Sequence, residues 1–218
     1  TADLSGDGPD TIRKNKNDKA YWAMVNRDDH MTTSGMNSCP DAPVIPLTAD
    51  ATALLDSIKD FKASGYTGGA IGIQWTYYML SSKWRDVIAD AGLGSGPSPS
   101  NPKHLAKVAI LMTDGQFNTA YAGAGSNYNG QGNLARKNAE SLCKNMRNEG
   151  IEIFTIGFDL NNPDMSEAER NAAKGVLKNC ASTTPSTTKH YFEASTGEEL
   201  DAAFQAIIAN TEKIALTK

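Results

Sequence analysis

The sequence is poor in the residues on which most enzyme and metal chemistry depends. It has three cysteines and three histidines in 218 residues, and no two cysteines share the CxxC spacing of zinc knuckles and dithiol redox sites. None of His30, His104 and His190 is matched with a serine or cysteine at a recognisable nucleophile elbow, so each is expected to be an ordinary surface histidine. A hydrolase is therefore disfavoured.

Other functional classes are excluded by further absences. The glycine-rich stretch 65–72 lacks the Gly-Lys-Ser/Thr of a P-loop, which argues against a nucleotide-binding enzyme. The net charge is −4 and no basic patch is visible, so nucleic acid is not expected as a partner. No apolar run reaches the roughly 18 residues that span a membrane, and the N-terminus does not resemble a signal peptide. Any membrane anchor or export signal is therefore expected upstream of Thr1.

The cysteines leave two interpretations open. In the first, Cys39, Cys143 and Cys180 are buried reduced thiols. In the second, Cys143 and Cys180 form one disulfide, and Cys39 pairs with a residue outside this chain. The odd count suits an exported protein, but the residues alone do not decide between the two interpretations.

The chain changes character at Cys39. Residues 1–38 are rich in Asp, Asn, Lys, Gly and Thr and show no sustained apolar period, which predicts an irregular arm. In residues 39–218, apolar runs of strand length alternate with helical apolar stripes through the second half. This alternation predicts an α/β domain with a mainly parallel sheet flanked by helices.

Helices and strands are predicted along residues 39–218 from these patterns. Apolar stripes predict helices near 51–61, 71–79, 135–146, 166–177 and 195–214, and a β-type run at 151–156 is followed later by a short edge strand at 190–192. In the second helix Trp75 and Tyr78 share the apolar stripe and are expected in the core, with Tyr77 exposed. The long loop 116–132 has the length of a binding loop.

The most informative stretch is residues 107–115, which read Lys-Val-Ala-Ile-Leu-Met-Thr-Asp-Gly. Five consecutive apolar residues predict a strand buried on both faces, and Asp114 follows at its carboxyl end, where open α/β sheets place ligands. Asp-Gly after a strand is also a common turn. In a second loop, Thr67 precedes a helix. The Thr67 hydroxyl and the Asp114 carboxylate together would be hard oxygen ligands suited to Mg²⁺ or Ca²⁺.

Several segments resemble a known family. Gly-Tyr-Thr-Gly-Gly at 65–69, the helix with Trp75 and the strand at 107–115 resemble the second and third metal-site loops of a von Willebrand factor A (vWA) domain. More narrowly, residues 39–218 resemble the C-terminal part of TadG-type proteins of the tight-adherence (Flp) pilus system. The matching segments include 39–48, 75–81, 141–158, 177–182 and the closing Tyr-Phe-Glu-Ala with its helix.

The resemblance implies a Rossmann-like vWA fold with a metal-ion-dependent adhesion site. In this family the ion is held by an Asp-x-Ser-x-Ser loop, a Thr in the second loop and an Asp in the third, and Thr67 and Asp114 match the last two. The first loop is not recognisable, because Asp-Leu-Ser-Gly-Asp at 3–7 follows no apolar strand and ends in the wrong residue. The N-terminal strands are therefore expected upstream of Thr1, which would leave the sheet incomplete and the metal site weakened or empty.

The resemblance also implies a disulfide between Cys143 and Cys180, with Cys39 bonded to an upstream cysteine. It implies an extracytoplasmic location, at the periplasm or cell surface of a bacterium, with a membrane anchor in an upstream segment. The function that follows is a non-enzymatic module for pilus assembly or adhesion, which recognises a protein partner through a divalent cation. The alternative is a metal-free structural vWA module that binds its partner through loop 116–132, and a hydrolase or nucleotide-binding enzyme comes third.

Overall fold

The computed structural model describes residues 43–61, 67–99, 101, 105–114, 117, 128–163, 165–183, 186 and 188–217. The predicted arm 1–38, Cys39, His30, His104 and most of loop 116–132 lie outside these residues. The described elements are α1 (Ala51–Lys59), α2 (Gly69–Leu80), a 3-10 turn (Ser82–Trp84), α3 (Arg85–Asp90), β1 (Lys107–Thr113), α4 (Tyr128–Asn148), β2 (Ile151–Phe158), α5 (Glu167–Cys180), β3 (Tyr191–Ala194) and α6 (Gly197–Thr217).

The three strands form one parallel sheet in the order β1-β2-β3. The register aligns Lys107 with Ile151 and Thr113 with Gly157, so β1 and β2 end at the same edge. One helix, α4, connects β1 to β2, and another, α5, connects β2 to β3. The predicted α/β class, a parallel sheet flanked by helices, is confirmed.

The helix boundaries follow from local capping chemistry. Asp50 caps α1, because its Oδ1 accepts hydrogen bonds from the backbone N–H groups of the second and third helical residues, both at 3.0 Å. Ser166 and Glu169 form the capping box of α5: the Glu169 carboxylate accepts from the Ser166 N–H at 2.8 Å and the Ser166 hydroxyl accepts from the Glu169 N–H at 3.3 Å. Gly150 ends the α4 region with a φ of 79°, a conformation that favours glycine.

Two layers of apolar side chains cover the sheet. On one face, Ala109 and Ile153 pack with residues from α2, α4 and α5. On the other face, Phe154, Ile156 and Phe192 pack against α6. Strand β2 is buried on both faces from Ile151 to Gly157, as expected for the central strand of a parallel sheet.

Strand β1 departs from the prediction of burial on both faces. Ile110 and Met112 remain 43% and 50% exposed. In the register they lie beside Phe154 and Ile156, and therefore on the α6 side of the sheet. Because α6 packs over β3 and β2, this part of β1 is left in contact with solvent.

Helix α2 also differs from the prediction in its rotational phase. Tyr77 is buried, whereas Trp75 is 40% exposed and contacts the rings of Tyr78 and Trp84 edge-on. Tyr78 is buried as expected and stacks on Trp84 at 4.0 Å between ring centroids. The core cluster of the sheet includes Tyr77, so the helix turns that side towards the strands.

Helix α1 shows the predicted apolar stripe, but none of its residues is buried. Leu55 and Ile58 are 58% and 57% exposed, and Phe61, just beyond its end, is 61% exposed. Sequence amphipathicity therefore predicted the helix correctly, while the described residues provide little cover for its apolar side.

Helices α4 and α5 are fastened to each other at one end. A disulfide joins Cys143 of α4 to Cys180 of α5, and both residues are buried in the core. Arg147 of α4 donates to the carbonyl oxygens of Asn179 and Cys180, at 2.9 and 2.6 Å. These carbonyls lie in the last turn of α5, where the helix itself offers no partner and a cation is favourable. The structure thus supports the disulfide interpretation of Cys143 and Cys180.

Arg147→Ala should lower the free energy of unfolding by about 2 kcal/mol, because two carbonyl acceptors at the end of α5 lose a charged donor. Urea denaturation with intact disulfide measures this change. Lys144→Ala, an exposed position on the same helix, is the control and should shift stability by less than about 0.5 kcal/mol. Equal losses in both variants would refute the capping role of Arg147.

His190 is not the surface histidine that the sequence predicted. It is 4% exposed, its Nε2 lies 2.7 Å from Oε1 of Glu152, and its ring stacks on Phe154 with centroids 4.8 Å apart. Glu152 is also buried, at 8% exposure. The pair joins the start of β2 to the residue before β3, at the edge of the sheet opposite Asp114.

Glu152→Leu and His190→Leu should each destabilise the fold by about 2 kcal/mol, because each leaves a buried polar partner without its hydrogen bond. The double variant should lose clearly less than the sum, since no polar group is then left unpaired. A double-mutant cycle in urea tests this. Strict additivity of the two losses would show that the pair is not coupled.

Candidate functional site

The carboxyl edge of the sheet holds two acidic residues at the ends of neighbouring strands. Asp114 directly follows β1 and is exposed. Asp159 directly follows β2 and has a φ of 51°, an uncommon conformation for a residue with a side chain. Its backbone N–H donates to the carbonyl oxygen of Ala194 at 2.8 Å, and its carboxylate accepts from the side-chain amide of Asn162 at 3.2 Å. Asp159 is thus fixed in place by β3 and its own turn.

The second predicted loop reaches the same region through the start of α2. Thr67 is half-buried and precedes Gly68, the N-cap residue of α2. Because glycine has no side chain, Gly68 makes no side-chain capping bond. A Cβ atom placed on Gly69 would lie 2.2 Å from a carbon of the Phe117 ring. Gly69 is therefore in direct contact with the aromatic ring, and any side chain at this position would displace it.

Phe117 connects the loop after β1 to the starts of two helices. Its side chain is 1% exposed and belongs to the core cluster between α2, α4 and the sheet. Its carbonyl oxygen would be 3.3 Å from a Cβ on Gly132, in the first turns of α4. Phe117 therefore lies between the starts of α2 and α4.

This contact links the segments that carry the two predicted ligands. Thr67 lies two residues before Gly69, and Asp114 lies three residues before Phe117. The Phe117 ring packs against the backbone of Gly69, so the start of α2 is in contact with Phe117. A hydroxyl and an exposed carboxylate are oxygen ligands of the kind that Mg²⁺ and Ca²⁺ take.

The described residues contain no group of three or more His, Cys, Asp or Glu side chains that could hold a metal ion. A cation at Thr67 and Asp114 would therefore rest on few protein ligands and on water. Mg²⁺ accepts such a site, because it retains several of its waters and commonly takes only one or two carboxylates. A hydroxyl and one exposed carboxylate are compatible with such a sparse, hydrated cation site.

The loop predicted over residues 116–132 ends earlier in the structure than the sequence indicated. Helix α4 begins at Tyr128, so residues 128–132 of the predicted loop are helical. Phe117, the described residue of this loop before α4, is anchored in the core. Residues 118–127, on which the alternative binding function depends, lie outside the described residues.

Sequence reasoning missed three features of this region. The Phe117 anchor lies in a loop rich in Gly, Asn and Tyr, where its one phenylalanine was the available signal. Asp159 follows a strand as Asp114 does, and this shared position could have identified it. The close approach of the Phe117 ring to Gly69 joins two residues that are distant in sequence, so it has no local sequence signature.

Comparison with family models, curated proteins and solved structures finds no match to this chain. Among the described residues, no helix has both the length and the apolar character needed to cross a membrane.

Gly69→Ala should destabilise the protein by about 1–3 kcal/mol, because the added methyl group collides with the Phe117 ring. Gly72→Ala is the matched control in the same helix, since no atom lies within 4 Å of its added Cβ, and it should be neutral or stabilising. Thermal unfolding of both variants measures the difference. Combining Gly69→Ala with Phe117→Leu should cost less than the sum of the single variants, and full additivity would contradict the contact.

Proposed function

We propose that this chain is a non-enzymatic, vWA-like binding module of the bacterial cell envelope, acting in pilus assembly or adhesion. It recognises a protein partner through a divalent cation held by Thr67 and Asp114. The observation that supports the proposal is the contact between Gly69 and Phe117, which lie two and three residues after Thr67 and Asp114.

The described residues have defined roles in this proposal. Asp114 supplies a negatively charged ligand and, being exposed, leaves the cation open to solvent on its outer side. Thr67 supplies a neutral hydroxyl oxygen from the segment just before α2. When bound, the cation offers an open coordination position that a partner's carboxylate can occupy.

The disulfide supports a location in the envelope. Cys143 and Cys180 are bonded and buried, and structural disulfides are typical of proteins that fold in oxidising compartments such as the periplasm. The proposal further places the protein in the periplasm or at the cell surface, with a membrane anchor in an upstream segment.

The alternative is a metal-free module that binds its partner through loop 116–132. One observation favours it: buried Phe117 gives this loop a fixed base between α2 and α4. Partner binding would then depend on the loop and be independent of divalent cations.

Titration calorimetry with Mg²⁺, Ca²⁺ and Mn²⁺ separates the two proposals. The wild type should release or absorb heat with at least one ion, and Asp114→Ala should abolish that heat because the site loses its charged ligand. Asp90→Ala, which removes an exposed carboxylate at the end of α3, should leave the heat unchanged. Equal heats in wild type and Asp114→Ala, or none in either protein, would refute the metal bridge and favour the metal-free module.

A further inference from the structure

A second surface with binding potential lies between the outer sides of α4 and α5. It is a groove of about 410 Å³, within the range of roughly 300–1,000 Å³ that ligand sites occupy. Asn133, Arg136, Lys137 and Glu140 line it from α4, and Gly175 lies opposite on α5. Nothing in the proposed function uses this groove.

The groove is open because of a glycine in the interior of a helix. No atom lies within 4 Å of a Cβ placed on Gly175, so the space above it is unfilled. A glycine within a helix is destabilising by about 0.5–1 kcal/mol relative to alanine. Ala172 also lines the groove, and its side chain is a single methyl group. Neither residue therefore fills the space between the two helices.

The charged groups of the groove are predominantly cationic. Nη2 of Arg136 donates to the side-chain oxygen of Asn133 at 2.6 Å, and the guanidinium lies close to Gly132, where a Cβ would be 3.1 Å from Nη1. A guanidinium has five N–H donors. The bond to Asn133 is the one that Arg136 makes with described residues, so its other donors can bind a ligand. Lys137 is exposed and forms no ion pair with a described residue.

The acidic residue of the groove is already engaged. Oε1 of Glu140 accepts a hydrogen bond from the side-chain amide of Asn179 at 2.9 Å. Arg136 and Lys137 therefore outnumber the single carboxylate. The presence of that carboxylate disfavours a compact, doubly charged anion such as phosphate, and favours single carboxylates spaced along a chain.

We propose that this groove binds an acidic peptide segment of a protein partner. Arg136 would hold one carboxylate through two parallel N–H···O bonds, a geometry that suits its planar guanidinium. Lys137 would attract a second carboxylate, and the open floor at Gly175 would accommodate the peptide between the two helices. This site is separate from Thr67 and Asp114 and requires no cation.

Fluorescence polarisation with a labelled hexaglutamate peptide tests the charge contribution on the full chain. Wild type should bind the peptide, and Arg136→Gln should weaken binding about tenfold, as expected for loss of a charged hydrogen-bond donor. Lys144→Gln removes the same charge from an exposed position of α4 outside the groove and should leave binding unchanged. Equal affinities of the two variants, or no binding by wild type, would overturn the proposal.

The shape of the groove has its own test. Gly175→Leu should prevent peptide binding while the fold is kept, because its Cβ meets no neighbouring atom and leucine favours helices. Unfolding curves verify the fold, and wild-type affinity in Gly175→Leu would overturn the proposal. Inorganic phosphate at equal ionic strength should compete weakly, and strong competition would identify a simple anion site instead. Asp114→Ala should leave peptide binding intact, which separates this result from the cation experiment.

Discussion

The fold depends on the burial of β2 on both faces. Its apolar residues separate two helical layers, and its neighbours β1 and β3 both pair with it. Thr155 at its centre is completely buried, and its hydroxyl donates to the carbonyl oxygen of Leu177 at 3.0 Å. Ser182, just after α5, exchanges hydrogen bonds with the backbone of Ile153 at 2.9 Å. Buried polar groups need partners, so these bonds fix where α5 and the following segment lie against the strand.

How much of this could be predicted from the sequence depended on how local each signal was. The apolar runs of β1 and β2 and the apolar stripes of the helices that follow them act within a few residues, and these strands and helices were predicted correctly. Their order along the chain was enough to predict a parallel α/β sheet. The predictions of burial that were wrong concern residues whose neighbours are distant in the chain, because the side chains packed against a residue decide whether it is buried.

Three residues show this limit clearly. Met112 belongs to an unbroken apolar run, yet it is exposed because α6 lies over the other two strands. Helix α2 is apolar almost all round, so its sequence pattern could not decide whether Trp75 or Tyr77 faces the sheet. His190 is buried because it hydrogen-bonds with Glu152 and stacks on Phe154, and both of these residues lie on β2, nearly forty residues earlier in the chain. For the candidate site, Thr67 and Asp114 were selected by their positions in the chain, and their role stays a prediction, whereas the contact between Phe117 and Gly69 was not predicted.

Helix α4 relates the candidate surfaces to one another. Near its start Gly132 adjoins the Phe117 backbone, and one turn later Arg136 lines the groove. Further along, Cys143 and Arg147 fasten it to α5, the other wall of that groove. Both walls are thus tied together at one end by a covalent bond and by a guanidinium, which limits how far they can separate. A partner that fills the groove meets a surface whose shape is set before binding, and preorganisation of this kind reduces the entropic cost of association.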